Sequence, residues 1–256
     1  MRLSNFLCLG LALGLSWQAS GQEHTNTEKL DSLMQALDKN NQWMGAVAIS
    51  QAGELKYQHQ QGWARHDQNS QQKAHEGSLY RIGSISKTFT AVLLLLAEEE
   101  GKLSLHDGLD AYYPELHYAK KIKLEQLLQH RSGIHNFTDD AMYAEIMTKK
   151  HSQKELLSIF NDLDLDFEPG SQISYSNTGY VLLGFILEQV YGKSYDALIQ
   201  EKIVKPLGLN TVRVSSEHSA LDFTETGSFL WDGTDWKPMP ITHPSVPMAA
   251  GALVSR

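Results

Sequence analysis

Cysteine is nearly absent from this chain, since Cys8 is the only one in 256 residues. It lies inside the apolar stretch LSNFLCLGLALGLSW, which follows Arg2 near the N-terminus. A single cysteine cannot form a disulfide within one chain, and a cysteine-based metal site needs several. If that stretch is removed during secretion, the remaining chain has no thiol chemistry at all.

Positive charge is also scarce. The chain has 22 basic and 30 acidic residues, with a formal net charge of −8. No basic run and no alternation of basic and aromatic residues occurs. This composition argues against nucleic-acid binding.

Several motifs of other enzyme classes are missing. The eleven histidines are scattered, and no H-E-x-x-H pair is present, so we predict no metal site. No G-x-S-x-G elbow occurs. The sequence Gly192-Lys193-Ser194 resembles the end of a phosphate loop, but Leu187 occupies the required first glycine position.

The N-terminus has the pattern of a secretory signal peptide over residues 1–21. A charged start and an apolar core precede the small residues Ala19, Ser20 and Gly21, which offer a cleavage site before Gln22. The apolar core is too short for a membrane span. We therefore predict secretion, with no stable membrane span after cleavage.

The segment YRIGSISKTFTAVLLLLAEEEG places Ser84 and Lys87 at the start of an apolar helix that stops at Gly101. Residues three apart share a helix face, and free N–H groups of a first turn favour an oxyanion. The apolar positions at helical spacing are Ile85, Phe89, Val92, Leu93 and Leu96. In a purely structural alternative, Ser84 is an N-cap and Lys87 is a surface residue.

A second S-x-x-K match, Ser70 to Lys73, weakens the motif as evidence. It lies in the polar, aperiodic stretch DQNSQQKAHEG, which we interpret as a solvated loop. The spacing alone therefore does not identify a nucleophile.

A further segment, ISYSNTGYVLLGFILEQVYG, places Tyr175 and Asn177 before a helix that ends at Gly192. A phenol can exchange a proton with Ser84, and an amide can contact a substrate carbonyl or Lys87. The alternative makes Tyr175 a core aromatic and Asn177 the helix N-cap. Similarly, Trp231 and Trp236 fit either a substrate cleft or a satellite core.

From about residue 43 to its last residue, the chain resembles the serine β-lactamase and penicillin-binding superfamily, specifically its class C β-lactamase and D-alanyl-D-alanine carboxypeptidase branch. The segments that carry the resemblance, in family order, are GAVAISQAGEL, SLYRIGSISKTFTA, EEGKLSLHDGLDAYYPEL, LEQLLQHRSGIHNF, FEPGSQISYSNTGYVLLGFILEQVYGKSY, IVKPLGLNTV and PMAAGALVSR.

The resemblance implies a role for each site residue. Ser84 is the nucleophile, and its backbone N–H supplies half of an oxyanion hole. Lys87 and Tyr175 share the proton transfers, with the acylation base left open. Asn177 orients the substrate and Lys87.

The implied fold is α+β, with an antiparallel sheet flanked by helices and a mainly helical insertion over about residues 102–245 of a domain at 22–256. We predict helices at 24–40, 122–130, 152–161, 178–191 and 194–204, and strands at 43–51 and 54–62. Residues 210–245 look irregular, with short strands near 211–214 and 228–231.

The chain departs from the family pattern in two places. It has no match to the family's third motif, Lys- or His-x-Gly, on a strand that walls the site and supplies the second oxyanion donor. We therefore expect a C-terminally incomplete domain with unpaired sheet strands and little turnover. The other departure is Arg131, where the family more often has Thr, and the loop residues His135, Asn136 and Phe137 leave specificity open.

The expected function is that of a secreted or periplasmic bacterial serine hydrolase without a cofactor. It would acylate Ser84 with an amide or ester, such as a β-lactam or a D-alanyl peptide of the cell wall. The expected partners are thus small-molecule or peptide substrates, including peptidoglycan. The alternatives are an esterase on the same scaffold and a non-catalytic binder of cell-wall peptides.

Overall fold

The computed structural model describes residues 26–68, 70–216 and 224–256, so the predicted signal peptide lies outside the described residues. The helices are α1 Thr27–Lys39, α2 Ser86–Glu99, α3 Leu124–Leu128, α4 Tyr143–Ile146, α5 Gln153–Asn161, α6 Asn177–Tyr191, α7 Tyr195–Ile199, α8 Lys205–Leu207 and α9 Met248–Gly251. A π-helical segment, Gln200–Val204, joins α7 to α8, and 3₁₀ turns occupy Gly83–Ile85, Leu109–Ala111, Ala119–Lys121 and Phe137–Asp139.

The strands are short and antiparallel. They are β1 Gly45–Gln51, β2 Glu54–Gln61, β3 Trp63–His66, β4 Gln71–Lys73, β5 Tyr80–Arg81, β6 Arg213–Val214, β7 Phe229–Trp231, β8 Trp236–Pro238 and β9 Leu253–Ser255. Three hairpins pair β1 with β2, β3 with β4, and β7 with β8. In the fourth sheet β9 lies between β5 and β6, so it brings three distant segments together.

The core is organised around α6, whose residues from Thr178 to Leu187 are all buried. A helix that is apolar on all sides needs neighbours around it, and α2, α3, α7 and α9 pack against it. Gly184 allows the closest approach, because a Cβ there would collide with Met248 and Ala249 of α9. The N-terminus of α6 is thereby held against α2 and α9.

The long predicted helices and both predicted N-terminal strands are present, and most of their ends shift by no more than two residues, as end assignments commonly do. The helix predicted at 24–40 begins at Thr27, and residues 24 and 25 lie outside the described residues. The segment predicted at 122–130 is helical only over Leu124–Leu128. The predicted Gly192 stop is correct, since this residue adopts a left-handed φ of 64° at the end of α6.

Two predictions about local structure were wrong. The stretch around Ser70 is not only a loop, because Gln71–Lys73 forms β4 and pairs with β3. The buried face of α2 is also offset from the predicted stripe, since Ile85 and Val92 are 61% and 40% exposed. The buried residues of α2 instead include Ser86, Lys87 and Thr90.

Candidate active site

Two helix N-termini meet at the predicted site. Ser84 lies in the 3₁₀ turn Gly83–Ile85 that leads into α2. Tyr175 immediately precedes Ser176, the N-cap of α6, and Asn177 is the first residue of that helix. Unpaired N–H groups give such ends positive potential, which favours an oxyanion and disfavours a second cation.

The structure brings Ser84, Lys87, Tyr175 and Asn177 into one hydrogen-bonded chain. Ser84 Oγ lies 2.6 Å from the Tyr175 hydroxyl and accepts from Lys87 Nζ at 3.2 Å. Lys87 Nζ also donates to Asn177 Oδ1 at 2.8 Å and to the Ala250 carbonyl at 2.8 Å. These three acceptors match the three hydrogens of an ammonium group.

Burial shapes the electrostatics of Lys87. The residue is only 6% exposed, and burial lowers the pKa of its ammonium group, while the adjacent Tyr175 hydroxyl partly opposes the shift. The rings of Tyr175 and Tyr180 lie 4.7 and 5.5 Å from Nζ. A lysine in these surroundings gives up its proton more readily than a solvated one and can therefore act as a base.

The alternative roles as helix caps, a surface lysine and a core aromatic do not fit this geometry. Lys87 is buried, and Tyr175 is 46% exposed, so it is not a core aromatic. The N-cap of α6 is Ser176 rather than Asn177. Ser84 forms part of the turn before α2 and is not the cap of that helix.

Asn177 is fixed by residues that the sequence did not single out as its partners. Its Nδ2 donates to Thr138 Oγ1 at 3.0 Å and to Asn136 Oδ1 at 3.2 Å, and its backbone N–H donates to the same Asn136 oxygen at 2.9 Å. Both amide hydrogens are therefore occupied, and a substrate carbonyl would have to replace one of these bonds. The side chain is positioned chiefly to hold Lys87.

His130 supports Tyr175 from the other side. Its ring stacks on Tyr175 at 4.5 Å between centroids and lies 5.0 Å from the ring of Tyr180. Its Nδ1 accepts from the Ser176 N–H at 3.2 Å, and its φ of 57° places it in the left-handed region. Burial, followed by the charge of Lys87, lowers the pKa of this imidazole. The sequence feature that could have indicated a role for His130 at the site is its position directly before Arg131.

A cavity of about 250 Å³ opens beside Ser84. Its lining residues are Arg81, Gly83, Ser84, Phe137, Thr138, Tyr143, Asn177, Thr242, Pro247, Ala250 and Gly251. Of the loop residues thought to face substrate, Phe137 therefore lines the cavity. His135 instead contacts Asp140 and Asp166, and the Arg131 side chain donates to the Gly170 carbonyl.

Within residues 26–68, 70–216 and 224–256, no group of three or more His, Cys, Asp or Glu side chains is placed to hold a metal ion. In the same part of the chain, every helix is too short or too polar to span a membrane. The candidate site offers a hydroxyl, an amine, a phenol and an amide as its polar groups.

Comparison with known proteins gives a consistent family relationship. The sequence model of the β-lactamase family matches residues 30–255. Penicillin-binding protein 4* of Bacillus subtilis is 32% identical over 187 residues, which cover 72% of this chain and 41% of that protein. The chain thus spans about half the length, or less, of the curated relatives it matches.

Solved structures show the same fold. The octameric penicillin-binding protein homologue from Pyrococcus abyssi aligns with a TM-score of 0.73 and 27% identity, over 90% of this chain and 54% of that one. D-amino acid amidase from Ochrobactrum anthropi aligns with a TM-score of 0.72 and 28% identity, over 89% of this chain and 67% of that one. The shared architecture is helical, with antiparallel sheets.

Proposed function

The chain belongs to the β-lactamase family, a family of serine hydrolases, and from this premise we propose that it forms a covalent acyl-enzyme on Ser84. The observation that carries the proposal is the position of Ser84 Oγ, 2.6 Å from the Tyr175 hydroxyl and 3.2 Å from Lys87 Nζ. A hydroxyl nucleophile needs a base within hydrogen-bond reach, and this one has two.

The proposed reaction has two balanced steps. Ser84 Oγ bonds to the substrate carbonyl carbon as its proton passes to neutral Lys87 Nζ or to the phenolate oxygen of Tyr175, and the bond to the leaving nitrogen or oxygen breaks as that atom takes up the proton. Water then attacks the ester carbon and gives a proton to the same base. The Oγ–carbon bond breaks as Ser84 Oγ takes up that proton, and the acid product leaves. The Ser84 backbone N–H would stabilise the oxyanion in both steps.

We propose D-alanyl amides or esters and β-lactams as the substrate class, with cell-wall peptides as the natural source. Penicillin-binding and D-amino acid amidase relatives support this choice. The signal-peptide pattern of residues 1–21 supports secretion to the bacterial periplasm or exterior.

The test is to incubate the purified protein with fluorescent penicillin, a D-alanyl-D-alanine peptide and a short-chain nitrophenyl ester, and to follow intact mass and turnover. We expect an adduct of penicillin on Ser84 and none in Ser84→Ala. Rapid ester turnover without penicillin labelling would favour the esterase, and peptide binding without either reaction would favour the non-catalytic binder. An adduct on Ser70 would refute the assignment.

A further inference from the structure

All four tryptophans in the described residues line one cavity of about 350 Å³. We name it the Trp cleft and define it by Trp43, Trp63, Trp231 and Trp236. It shares no lining residue with the cavity beside Ser84. Its volume is within the usual range for small-ligand sites.

Separate parts of the chain bring these rings together. Trp43 precedes β1, Trp63 begins β3, and Trp231 and Trp236 are paired in register across the β7–β8 hairpin. The last two rings lie 5.5 Å apart and are tilted by 58°. Each of the four side chains is only half-buried. A closed satellite core would bury such large rings, whereas these keep part of their surface open to the cavity.

The lining of the Trp cleft includes polar side chains that form no hydrogen bond with other described residues. Asp38 and Asn41 lie at the end of α1, and neither side chain has a hydrogen-bond partner within the described part of the chain. They provide a carboxylate acceptor and an amide with both donors and an acceptor. On the opposite side, Asp235 accepts from His66 at 3.1 Å and from Lys237 at 3.3 Å, so its charge is partly compensated.

Aromatic walls combined with acceptors suit two kinds of ligand: a quaternary ammonium group and a sugar ring. The first is disfavoured, because Lys73 Nζ already lies 3.6 Å from the centre of the Trp63 ring and would repel a second cation. A neutral sugar has an apolar C–H face for indole rings and hydroxyl groups for carboxylate and amide partners. It also needs no balancing charge.

We propose that the Trp cleft binds a neutral oligosaccharide. A second cavity of about 580 Å³ adjoins the cleft and shares Asp235 and Trp236 with it. Trp236 thus borders both cavities, which favours a ligand of several linked sugar rings over a single sugar. This inference does not depend on the chemistry proposed for Ser84.

The test is titration of the purified protein with chitotriose, cellotriose and choline, followed by tryptophan fluorescence and calorimetry. We expect saturable binding of at least one trisaccharide with a change in indole emission, and no response to choline. Trp236→Ala should weaken binding about tenfold or more, because a stacked ring is lost. Leu230→Ala is the matched control, since Leu230 is exposed on the same hairpin and does not line the cleft.

Asn41→Gly provides a second variant in case the tryptophan change unfolds the hairpin. It removes the amide, and glycine accepts the left-handed φ of 51° at this position, so it should weaken binding several-fold without lowering the thermal unfolding temperature. Ser84→Ala should bind sugar as tightly as the unmodified chain, which separates this proposal from the acyl-enzyme. The proposal is overturned if neither trisaccharide binds, if Trp236→Ala and Asn41→Gly both bind normally in a folded state, or if choline binds instead.

Discussion

Two segments of this chain carry the same S-x-x-K spacing and have different structures. Ser84 and Lys87 lie on the turn and helix of α2, where residues three apart share a face, and their side chains are hydrogen-bonded at 3.2 Å. Ser70 and Lys73 lie on the β3–β4 hairpin, where side chains alternate between faces. Residues three apart on a strand therefore point to opposite faces. The periodicity of the backbone, not the spacing of the letters, decides whether the two groups meet.

The two lysines also differ in environment. Lys87 is buried, and its three partners are oxygen atoms of Ser84, Asn177 and Ala250. Lys73 is exposed, and its ammonium group lies over the ring of Trp63. Burial in the first environment lowers the pKa of the Lys87 ammonium group, which suits this lysine to act as a base.

The largest expected difference between the two segments is at the hydroxyl groups. Ser84→Ala should abolish covalent labelling by an acylating substrate, because the nucleophile is removed, whereas Ser70→Ala should label normally. Intact-mass spectrometry measures both. Equal labelling of the two variants would show that Ser84 is not the distinguishing nucleophile.

The lysines provide the next comparison. Lys87→Ala should slow acylation about a hundredfold or more, the usual scale for a general base, and Tyr175→Phe should have a similar effect. Lys73→Ala should leave the rate unchanged. Stopped-flow labelling with circular dichroism as a folding control tests this. A normal rate in folded Tyr175→Phe would make that hydroxyl a bystander.

The pH dependence sharpens the comparison further. If neutral Lys87 accepts the proton, acylation is fast above its pKa and slows as pH falls through it. Burial lowers this pKa, so the midpoint of the rising limb should lie below the ordinary lysine value of 10.5. The neighbouring imidazole of His130 is a second titratable group, and His130→Gln separates its contribution from that of Lys87. If Lys87 is the base, the rising limb should remain in this variant. A rate that is independent of pH would count against Lys87 as the base.

The hydrogen bonds between Asn136 and Asn177 should contribute measurably to the free energy of unfolding. Asn136→Ala removes the oxygen that accepts from the backbone N–H and from one side-chain N–H of Asn177, and leaving such donors unpaired away from water costs about 1–3 kcal/mol. Urea unfolding measures the loss. Asn210→Ala is a matched control, because that side chain is exposed and has no hydrogen-bond partner among the described residues, and it should change the free energy of unfolding by less than about 0.5 kcal/mol.

The smallest effect is expected at the exposed segment. Lys73→Met removes the ammonium group over Trp63 and should destabilise the chain by about 0.5–1 kcal/mol, the range for an exposed cation–π contact. Thermal unfolding at two salt concentrations measures it. A loss of several kcal/mol would show that Lys73 is as structurally important as Lys87.

The long elements could be predicted from sequence, because α6 is a long apolar run closed by Gly192 and the β1–β2 hairpin has a clear turn signal at residues 51–53. The pairs β5–β9 and β6–β9 could not, since strands of two or three residues contain no readable alternation and their register is set by tertiary packing. The buried face of α2 was also unreadable. Its run AVLLLLA is apolar on every side, so contacts with α6, α7 and α9 decide which side is covered.

The four residues that meet at the candidate site were predicted from their sequence segments, whereas the residues that support them were not. Asn136 and His130 act through contacts between loops distant in sequence, which no local pattern reports. Asn136 was expected to face substrate and instead fixes Asn177. The roles of Ser84, Lys87, Tyr175 and Asn177 in catalysis stay predictions until the variants are measured.

The contacts of α2 with α9 and β9 have a consequence for how the protein matures. The carbonyls of Ala249 and Ala250 accept from Thr90 and Lys87, and Leu253 N–H donates to Ser86, across 159 to 167 residues of chain. Loops of that length close slowly, so these bonds belong to late events in folding. A nascent chain would therefore carry Ser84 and Lys87 long before α9 and β9 dock, and only that docking would complete the three hydrogen bonds of Lys87.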